Sequence, residues 1–248
     1  MTINNLDRMF QPATIAVVGA SDRKGSVGAA LMQNLKASRY PGKVFPVNRQ
    51  HLKIAGLPAY PSVSAIDEKI DLAVITVPIV HVPEIVGECV QMNVGGAVII
   101  SAGGKETGDE GRKIEQAIAA AAGSDLRIIG PNCLGIISTG SDLNASFAAQ
   151  MPLPGKLAFI SQSGAVCGSV LDLSLREQIG FSYFVSLGSM LDVDFGDMID
   201  YLGGESSVHS IVMYVESLTR FRNLMSAARA VSRVKPIVAL KAGRSRAG

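Results

Sequence analysis

Hydroxyl and amide side chains meet glycine where an apolar run stops at residue 160, and the chain continues through Ser161-Gln162-Ser163-Gly164 into a segment of helical period. A helix N-terminus leaves backbone N–H groups unpaired and carries the positive end of the helix dipole, so such a junction suits an anion, in particular a phosphoryl group. The plainer alternative is that one serine only caps the helix. A hydrolase nucleophile elbow, G-x-S-x-G, fails because Ser161 stands at its first glycine, and His51, His81 and His209 offer no obvious base. Glu216 follows the run 211–215 and falls at another strand end, either as a carboxylate that orients a catalytic group or as a solvated loop acid. Asp192, Asp194 and Asp197 gather after Ser186-Leu187-Gly188-Ser189, but their spacing matches no metal-ligand pattern, and no metal is expected.

A second phosphate-suited loop follows the run 15–18: Gly19-Ala20-Ser21-Asp22-Arg23-Lys24-Gly25-Ser26-Val27-Gly28. Its small residues either let backbone N–H groups approach a phosphate at a helix start or simply turn the chain. The loop departs from G-x-G-x-x-G, because Ser21 takes the second glycine's place and the loop is longer before Gly25 and Gly28. An NAD site ends its second strand in an acid that holds the ribose hydroxyls. Here that end reads Pro46-Val47-Asn48-Arg49, which favours a ribose carrying a phosphate, as in NADP or coenzyme A; a solvated surface arginine is the other reading. Thr76-Val77-Pro78 and Ser101-Ala102-Gly103-Gly104 leave the same sheet edge, outside the carboxyl ends of the strands, where ligands of open α/β sheets bind. Gly130-Pro131-Asn132-Cys133-Leu134-Gly135 is either a further rigid site loop or a turn that closes a domain.

These loops need elements to hold them. Short apolar runs at 15–18, 44–47, 72–77, 97–100 and 127–129 alternate with helical segments such as Val82, Ile85, Val86 and Cys89, spaced i, i+3, i+4, i+7. Runs at 157–160, 181–186, 210–215 and 236–240 repeat the alternation, with Phe221, Leu224, Met225, Ala228 and Val231 on one helix face before the last. The Gly-, Ser-, Asn- and Pro-rich stretch 138–156 breaks the rhythm and reads as a domain boundary. At 248 residues the chain accommodates two α/β domains, each with its own core. Twenty-six glycines, no tryptophan and a net charge of +2, with basic residues dispersed, fit parallel α/β sheets and exclude a nucleic-acid footprint. Three widely spaced cysteines fit neither a disulfide framework nor a zinc knuckle and point to a reducing, cytoplasmic setting. The most apolar stretch, 72–86, is broken by Pro78, His81, Pro83 and Glu84, and the first ten residues lack a signal-peptide layout, so neither a membrane span nor export is expected.

Four segments in order, Ile15-Ala16-Val17-Val18-Gly19-Ala20-Ser21, Ile129-Gly130-Pro131-Asn132-Cys133-Leu134-Gly135, Phe159-Ile160-Ser161-Gln162-Ser163-Gly164-Ala165 and Lys241-Ala242-Gly243-Arg244, resemble the nucleoside-diphosphate-forming acyl-CoA synthetases, the superfamily that includes the α subunit of succinyl-CoA synthetase. Leu143-Asn144-Ala145-Ser146-Phe147 and Gly180-Phe181-Ser182-Tyr183-Phe184 look like the branch fused to a GNAT acetyltransferase. The resemblance implies two doubly wound domains: a Rossmann-like CoA-binding domain over residues 1–138 and a flavodoxin-like, succinyl-CoA-synthetase-like domain over 139–248. It implies that Gly19, Ala20, Ser21, Lys24, Gly25 and Ser26, with Asn48, Arg49, Thr76, Val77, Pro78, Ser101, Ala102, Gly103, Asn132 and Cys133, hold CoA or acetyl-CoA. Ser161, Gln162, Ser163 and Gly164 would cradle the phosphoryl group, and Glu216 matches the acid that steadies an active-site histidine. In this family an acyl phosphate forms, CoA displaces phosphate, and the histidine carries the phosphoryl group to ADP, so the reaction expected of a parent protein is acetate + CoA + ATP to acetyl-CoA + ADP + phosphate. That histidine normally lies a few residues beyond the Ala-Gly-Arg-Ser loop and the sequence stops at Gly248, so the chain alone is expected to bind CoA without completing phosphoryl transfer. ATP or ADP with Mg would then require an ATP-grasp domain or subunit. Other expected partners are a fused GNAT domain or a second copy of the chain, with neither nucleic acid nor membrane. The competing readings are a CoA or acyl-CoA sensing module of a fused lysine acetyltransferase, and an NADP-dependent oxidoreductase.

Overall fold

The computed structural model describes residues 5–243; Arg244 of the fourth motif and the basic tail after it lie outside the described residues. Strands β1 (Thr14–Val18), β2 (Lys43–Val47), β5 (Leu72–Ile75), β6 (Gly96–Ile99) and β7 (Arg127–Ile129) form a wholly parallel sheet in the order β2-β1-β5-β6-β7. A two-residue hairpin, β3 (Lys53–Ile54) with β4 (Leu57–Pro58), follows the edge strand β2, where Pro46 is tolerated because an edge needs no second ladder. Helices α2 (Val27–Ala37), α3 (Val82–Gln91) and α4 (Asp109–Ala122) make the crossovers, and the short α1 (Leu6–Phe10) precedes β1. The i, i+3, i+4, i+7 face of α3 is buried as its spacing predicts.

The second sheet runs β13-β12-β10-β11-β8-β9. Strands β10 (Pro154–Ser161), β11 (Phe181–Ser186), β12 (Ser210–Val215) and β13 (Ile237–Lys241) are parallel, with α5 (Gly164–Arg176), α6 (Phe195–Gly204) and α7 (Phe221–Val231) between them in sequence. Strands β8 (Gly135–Ser138) and β9 (Leu143–Ser146) form an antiparallel hairpin, and β8 pairs antiparallel with β11.

That hairpin corrects the expected linker, part of which is strand, and the expected boundary at 138/139 falls inside it; the chain passes from the first sheet to the second across Gly130–Leu134. Polar composition disguised the strands. Ser138, Asn144 and Ser146 are buried, but their side chains are paired: Ser146 Oγ donates to Asn144 Oδ1 at 2.6 Å, and Ser141 Oγ donates to Ser138 Oγ at 2.9 Å. Buried polar groups cost little when they are bonded, so turn-like residues here are compatible with strand.

The expected pair of separate cores is also revised. One cluster belongs to the first sheet and one to the second, but the largest is continuous, running from Leu6, Phe10, Ile15 and Val98 through Ile136 and Leu143 to Tyr183, Met198 and Tyr201. Ion pairs reinforce this join. Arg127 on β7 pairs with Asp192 at 2.7 Å and Asp197 at 3.2 Å, while Arg220 pairs with Asp194 at 2.7 Å and Asp197 at 3.0 Å. Asp194 and Asp197 also form the capping box of α6, so the three acids serve a structural network. No helix among the described residues is long and apolar enough to cross a membrane.

Helix α1 is fastened through Asp71, which receives Arg8 Nε at 2.9 Å on one oxygen and the Ala13 N–H at 2.9 Å on the other. Burial alone would push this carboxyl up, but the Ala13 N–H and Arg8 outweigh it and hold it below its ordinary value. A folded-state value below the unfolded one means stability that is present above the unfolded value of 3.8 and lost as pH falls through the folded one. Urea melts of wild type and D71N from pH 7 to pH 3 are therefore expected to show a gap that narrows as the solution is acidified.

Candidate functional site

Each sheet reverses its strand order at one point, and each reversal opens a crevice at strand carboxyl ends. In the first sheet it lies between β1 and β5, flanked by the Gly19 loop and by Thr76–Pro78. In the second it lies between β10 and β12, flanked by Ser161–Gly164 and by Glu216. The two open on one cleft of about 740 Å³, whose walls include Thr76, Val77, Pro78, Ser101, Ala102, Asn132, Cys133, Gln162, Ser163, Gly164 and Glu216. A smaller pocket of about 280 Å³ is lined by Gly19, Asn48, Arg49, Val77 and Pro78 among others. Val77 and Pro78 line both, so the two spaces adjoin at this loop.

Close backbone approach builds the first half. Gly19 has φ +92°, and a Cβ there would lie 2.6 Å from Thr76 Oγ1. Thr76 Oγ1 donates to Val18 O at 3.2 Å, which binds the two loops of the crevice together. Ser101 Oγ donates to Val77 O at 2.6 Å, and the Asn132 N–H donates to Ser101 O at 2.9 Å, so the next loops follow in series. Behind them Ser189, Leu191 and Val193 donate their N–H groups to the Pro131, Gly130 and Ile128 carbonyls, stitching the 128–131 segment to the loop that follows β11.

Several residues expected at the CoA site lie outside both cavities or are bonded within the protein. Ser26 is the N-cap of α2, its Oγ accepting the Ala29 N–H. Ser21 Oγ accepts the Arg23 N–H at 3.0 Å, Ala20 is buried, and Lys24 and Gly25 are exposed; none of these residues lines either cavity. The Gly103 N–H is taken by Glu106 at 2.7 Å, and Gly103 lines neither cavity. Asn48 does line the smaller pocket, but its amide is engaged: Nδ2 donates to Ala20 O at 2.9 Å and Oδ1 accepts the Gln50 N–H at 2.7 Å. Arg49 approaches Glu84 at 3.4 Å with both side chains 70% exposed, a pair of little energetic consequence that leaves the guanidinium available to a ligand.

At the second crevice Ser161 is removed from ligand contact. Its side chain is fully buried, and its Oγ donates to Ser163 O and accepts the Ser163 N–H, each at 3.0 Å. Ser163 caps α5 through the Val166 N–H at 3.3 Å while also lining the cleft. Gln162 bridges the crevice: Oε1 accepts the Glu216 N–H at 2.6 Å and the Ser217 N–H at 2.9 Å, and Nε2 donates to Ser217 Oγ at 3.1 Å. Lys241 Nζ donates to Glu216 O at 2.9 Å. Gln162 and Lys241 thus fix the backbone that presents the exposed Glu216 carboxylate. Cys133 lines the cleft, but its thiol donates to Ile99 O at 3.3 Å and burial pushes it up to about 12, which keeps it protonated and poorly nucleophilic. No cluster of three or more potential metal ligands occurs among the described residues.

Sequence reasoning missed Arg23, Val27, Ile100, Leu134, Phe147 and Ala165 as cleft residues. Arg23 had a signal, a cation inside the phosphate-suited loop. Phe147 had none, because its position depends on the unforeseen hairpin.

Comparison with known proteins agrees with the geometry. Residues 13–139 match the model of a CoA binding domain, and residues 154–248 match that of a succinyl-CoA ligase like flavodoxin domain. The chain is 43% identical to an acetate–CoA ligase [ADP-forming] I of Archaeoglobus fulgidus, over 98% of this chain and 35% of that protein. It is 42% identical to the acetate–CoA ligase [ADP-forming] II subunit alpha of Pyrococcus furiosus, over 98% of this chain and 53% of that one. A dinucleotide-forming acetyl-coenzyme A synthetase 1 of Ca. Korarchaeum cryptofilum, solved in complex with phosphate and ADP, superposes with a TM-score of 0.95 at 37% identity, covering 99% of this chain and 53% of that one. The chain thus spans about a third to a half of the length of these relatives.

Proposed function

The chain belongs to the family of CoA-binding domains, here joined to a succinyl-CoA-ligase-like flavodoxin domain as in ADP-forming acetyl-CoA synthetases, and from that premise we propose that it binds CoA and phosphate in one cleft for acyl transfer between them. The observation that carries this reading is the Val77–Pro78 loop, which borders both the smaller pocket and a cleft lined by the N-terminus of α5. The ribose phosphate of CoA lies near Arg49, the pantetheine arm passes Thr76–Pro78 and Ser101–Ala102, and the thiol reaches the Asn132–Cys133 corner. Phosphate sits at the α5 N-terminus beside Ser163 and Gly164, where free N–H groups and the helix dipole favour it.

In the acyl transfer the CoA sulfur attacks the carbonyl carbon of an acyl phosphate. The C–S bond forms as the C–O bond to phosphate breaks, the thiol proton passes to solvent or phosphate, and acyl-CoA and inorganic phosphate result. With Cys133 held protonated, the competent thiol in this cleft is that of CoA. Glu216 orients the group that exchanges a phosphoryl with this phosphate, and Gln162 positions Glu216. The ATP-dependent step, with Mg, draws on an ATP-grasp domain or subunit, a division supported by relatives named as alpha subunits. Relatives named as acetate–CoA ligases support acetate as the acid. They give a fused acetyltransferase no support.

Gly164 provides the test. A Cβ at this position meets no atom within 4 Å, so a side chain added there projects into open space without a clash in the protein. Isothermal titration of the wild-type chain is expected to show stoichiometric CoA binding and separate phosphate binding. G164V should lose the phosphate heat while its thermal midpoint stays within about 2 °C of wild type, the change expected of a surface substitution. A folded chain that ignores CoA, or binds NADPH without competition from CoA, overturns the reading.

A further inference from the structure

Of the eight phenylalanines six are buried, and Phe147 is one of the two left in view, 38% exposed. It is the one aromatic side chain among the described residues that line the larger cleft. Its place is held from both sides: Asn34 Nδ2 on α2 donates to Ser146 O and to Ala148 O, each at 2.8 Å, and the Phe147 N–H donates to Leu134 O at 3.2 Å. Ser146 Oγ also accepts the Ala148 N–H at 3.2 Å. A large apolar ring kept in a polar-rimmed cleft by a rigid backbone gains nothing from folding that burial elsewhere would not supply better; such rings are characteristic of ligand contacts.

We propose that Phe147 is the specificity-determining wall for the acyl group, setting an upper limit on its size. This rests on the function proposed above. The acyl carbon must lie between the CoA thiol, at Cys133, and the phosphate, at Gly164. Phe147 borders the same cleft and is tied through its own N–H to Leu134, the residue after Cys133, so the substituent on the acyl carbon faces an apolar wall. Small aliphatic acyl groups pack against the ring; longer or aromatic ones collide with it.

The test uses binding of the 248-residue chain to CoA, acetyl-CoA, butyryl-CoA and benzoyl-CoA. Wild type is expected to bind CoA and acetyl-CoA alike and to lose affinity with the two larger thioesters. F147A should reduce that loss by about ten-fold, the scale at which a hydrophobic pocket discriminates by size, with affinity for free CoA unchanged within about two-fold. F147L, which keeps most of the apolar volume, should fall between, and it carries the test should F147A fail to fold. An unaltered acyl-CoA profile in the folded variants overturns the proposal, as does an equal loss for CoA and every thioester, which would assign the ring to the pantetheine arm. A wild-type chain that binds no CoA would instead remove the underlying reading, and this one with it.

Discussion

Replacing Gly28 with valine is expected to weaken CoA binding on the order of 100-fold, about 2.8 kcal/mol, in titration calorimetry. Gly28 lines neither cavity, which makes the effect diagnostic of how the site is built. A Cβ at this position would fall 2.1 Å from Gly19 O and 3.3 Å from Ala20 Cα, and these are backbone atoms with no rotamer to yield. The first turn of α2 must then move away from the Gly19 loop. That loop is itself held, since the Gly19 N–H donates to Val47 O at 3.0 Å, so the displacement reaches the end of β2 and the Asn48–Arg49 wall of the smaller pocket. Overpacking of this kind typically costs about 1–3 kcal/mol of stability, so the variant should stay folded by circular dichroism at room temperature while binding fails.

The largest expected loss of stability follows R127A. Arg127 leaves β7 in the first sheet with its side chain 13% exposed and reaches Asp197, whose side chain is 1% exposed, in the second half of the chain. Burial alone disfavours the charged form of the Asp197 carboxyl. Removing Arg127 takes from the Asp192 carboxylate its pair with Arg127 and leaves Asp194 and Asp197 to share Arg220, and breaking a buried pair from one side costs about 3–5 kcal/mol because a charge is left uncompensated. For a chain of this length, that is a fall of about 6–20 °C in thermal midpoint. R220A should cost less, because Arg220 is 43% exposed and water can reach the acids it leaves. Scanning calorimetry of the two variants checks the order.

The fold was legible where hydrophobic period and turn chemistry agreed. Thr14–Val18, Arg127–Ile129 and Phe181–Ser186 are strands within a residue of where their apolar runs lie, and the periodic face of α7 identified the whole helix. Leu143–Ser146 was hidden because Asn144 and Ser146 satisfy one another within the sheet, an interaction no linear pattern displays. The site was legible as a set of strand-end loops, since parallel α/β topology sends those loops to one edge. What no spacing could show was which atoms remain free. Ser161 and Ser163 read alike in sequence, yet one is spent on its own loop and the other borders the cleft. Nor could spacing reveal that the Gly19 crevice and the α5 N-terminus open on one space, because that depends on how the 128–134 segment docks on the second sheet.

The shared cleft is tested most directly by a crystal structure of the chain with CoA and inorganic phosphate. The ribose phosphate is expected near Arg49, the thiol sulfur at the Asn132–Cys133 corner, and phosphate at the N-terminus of α5 beside Gly164, with room for one acyl carbon between sulfur and phosphate. A CoA molecule whose thiol points away from Gly164, or a phosphate bound outside this cleft, would contradict it.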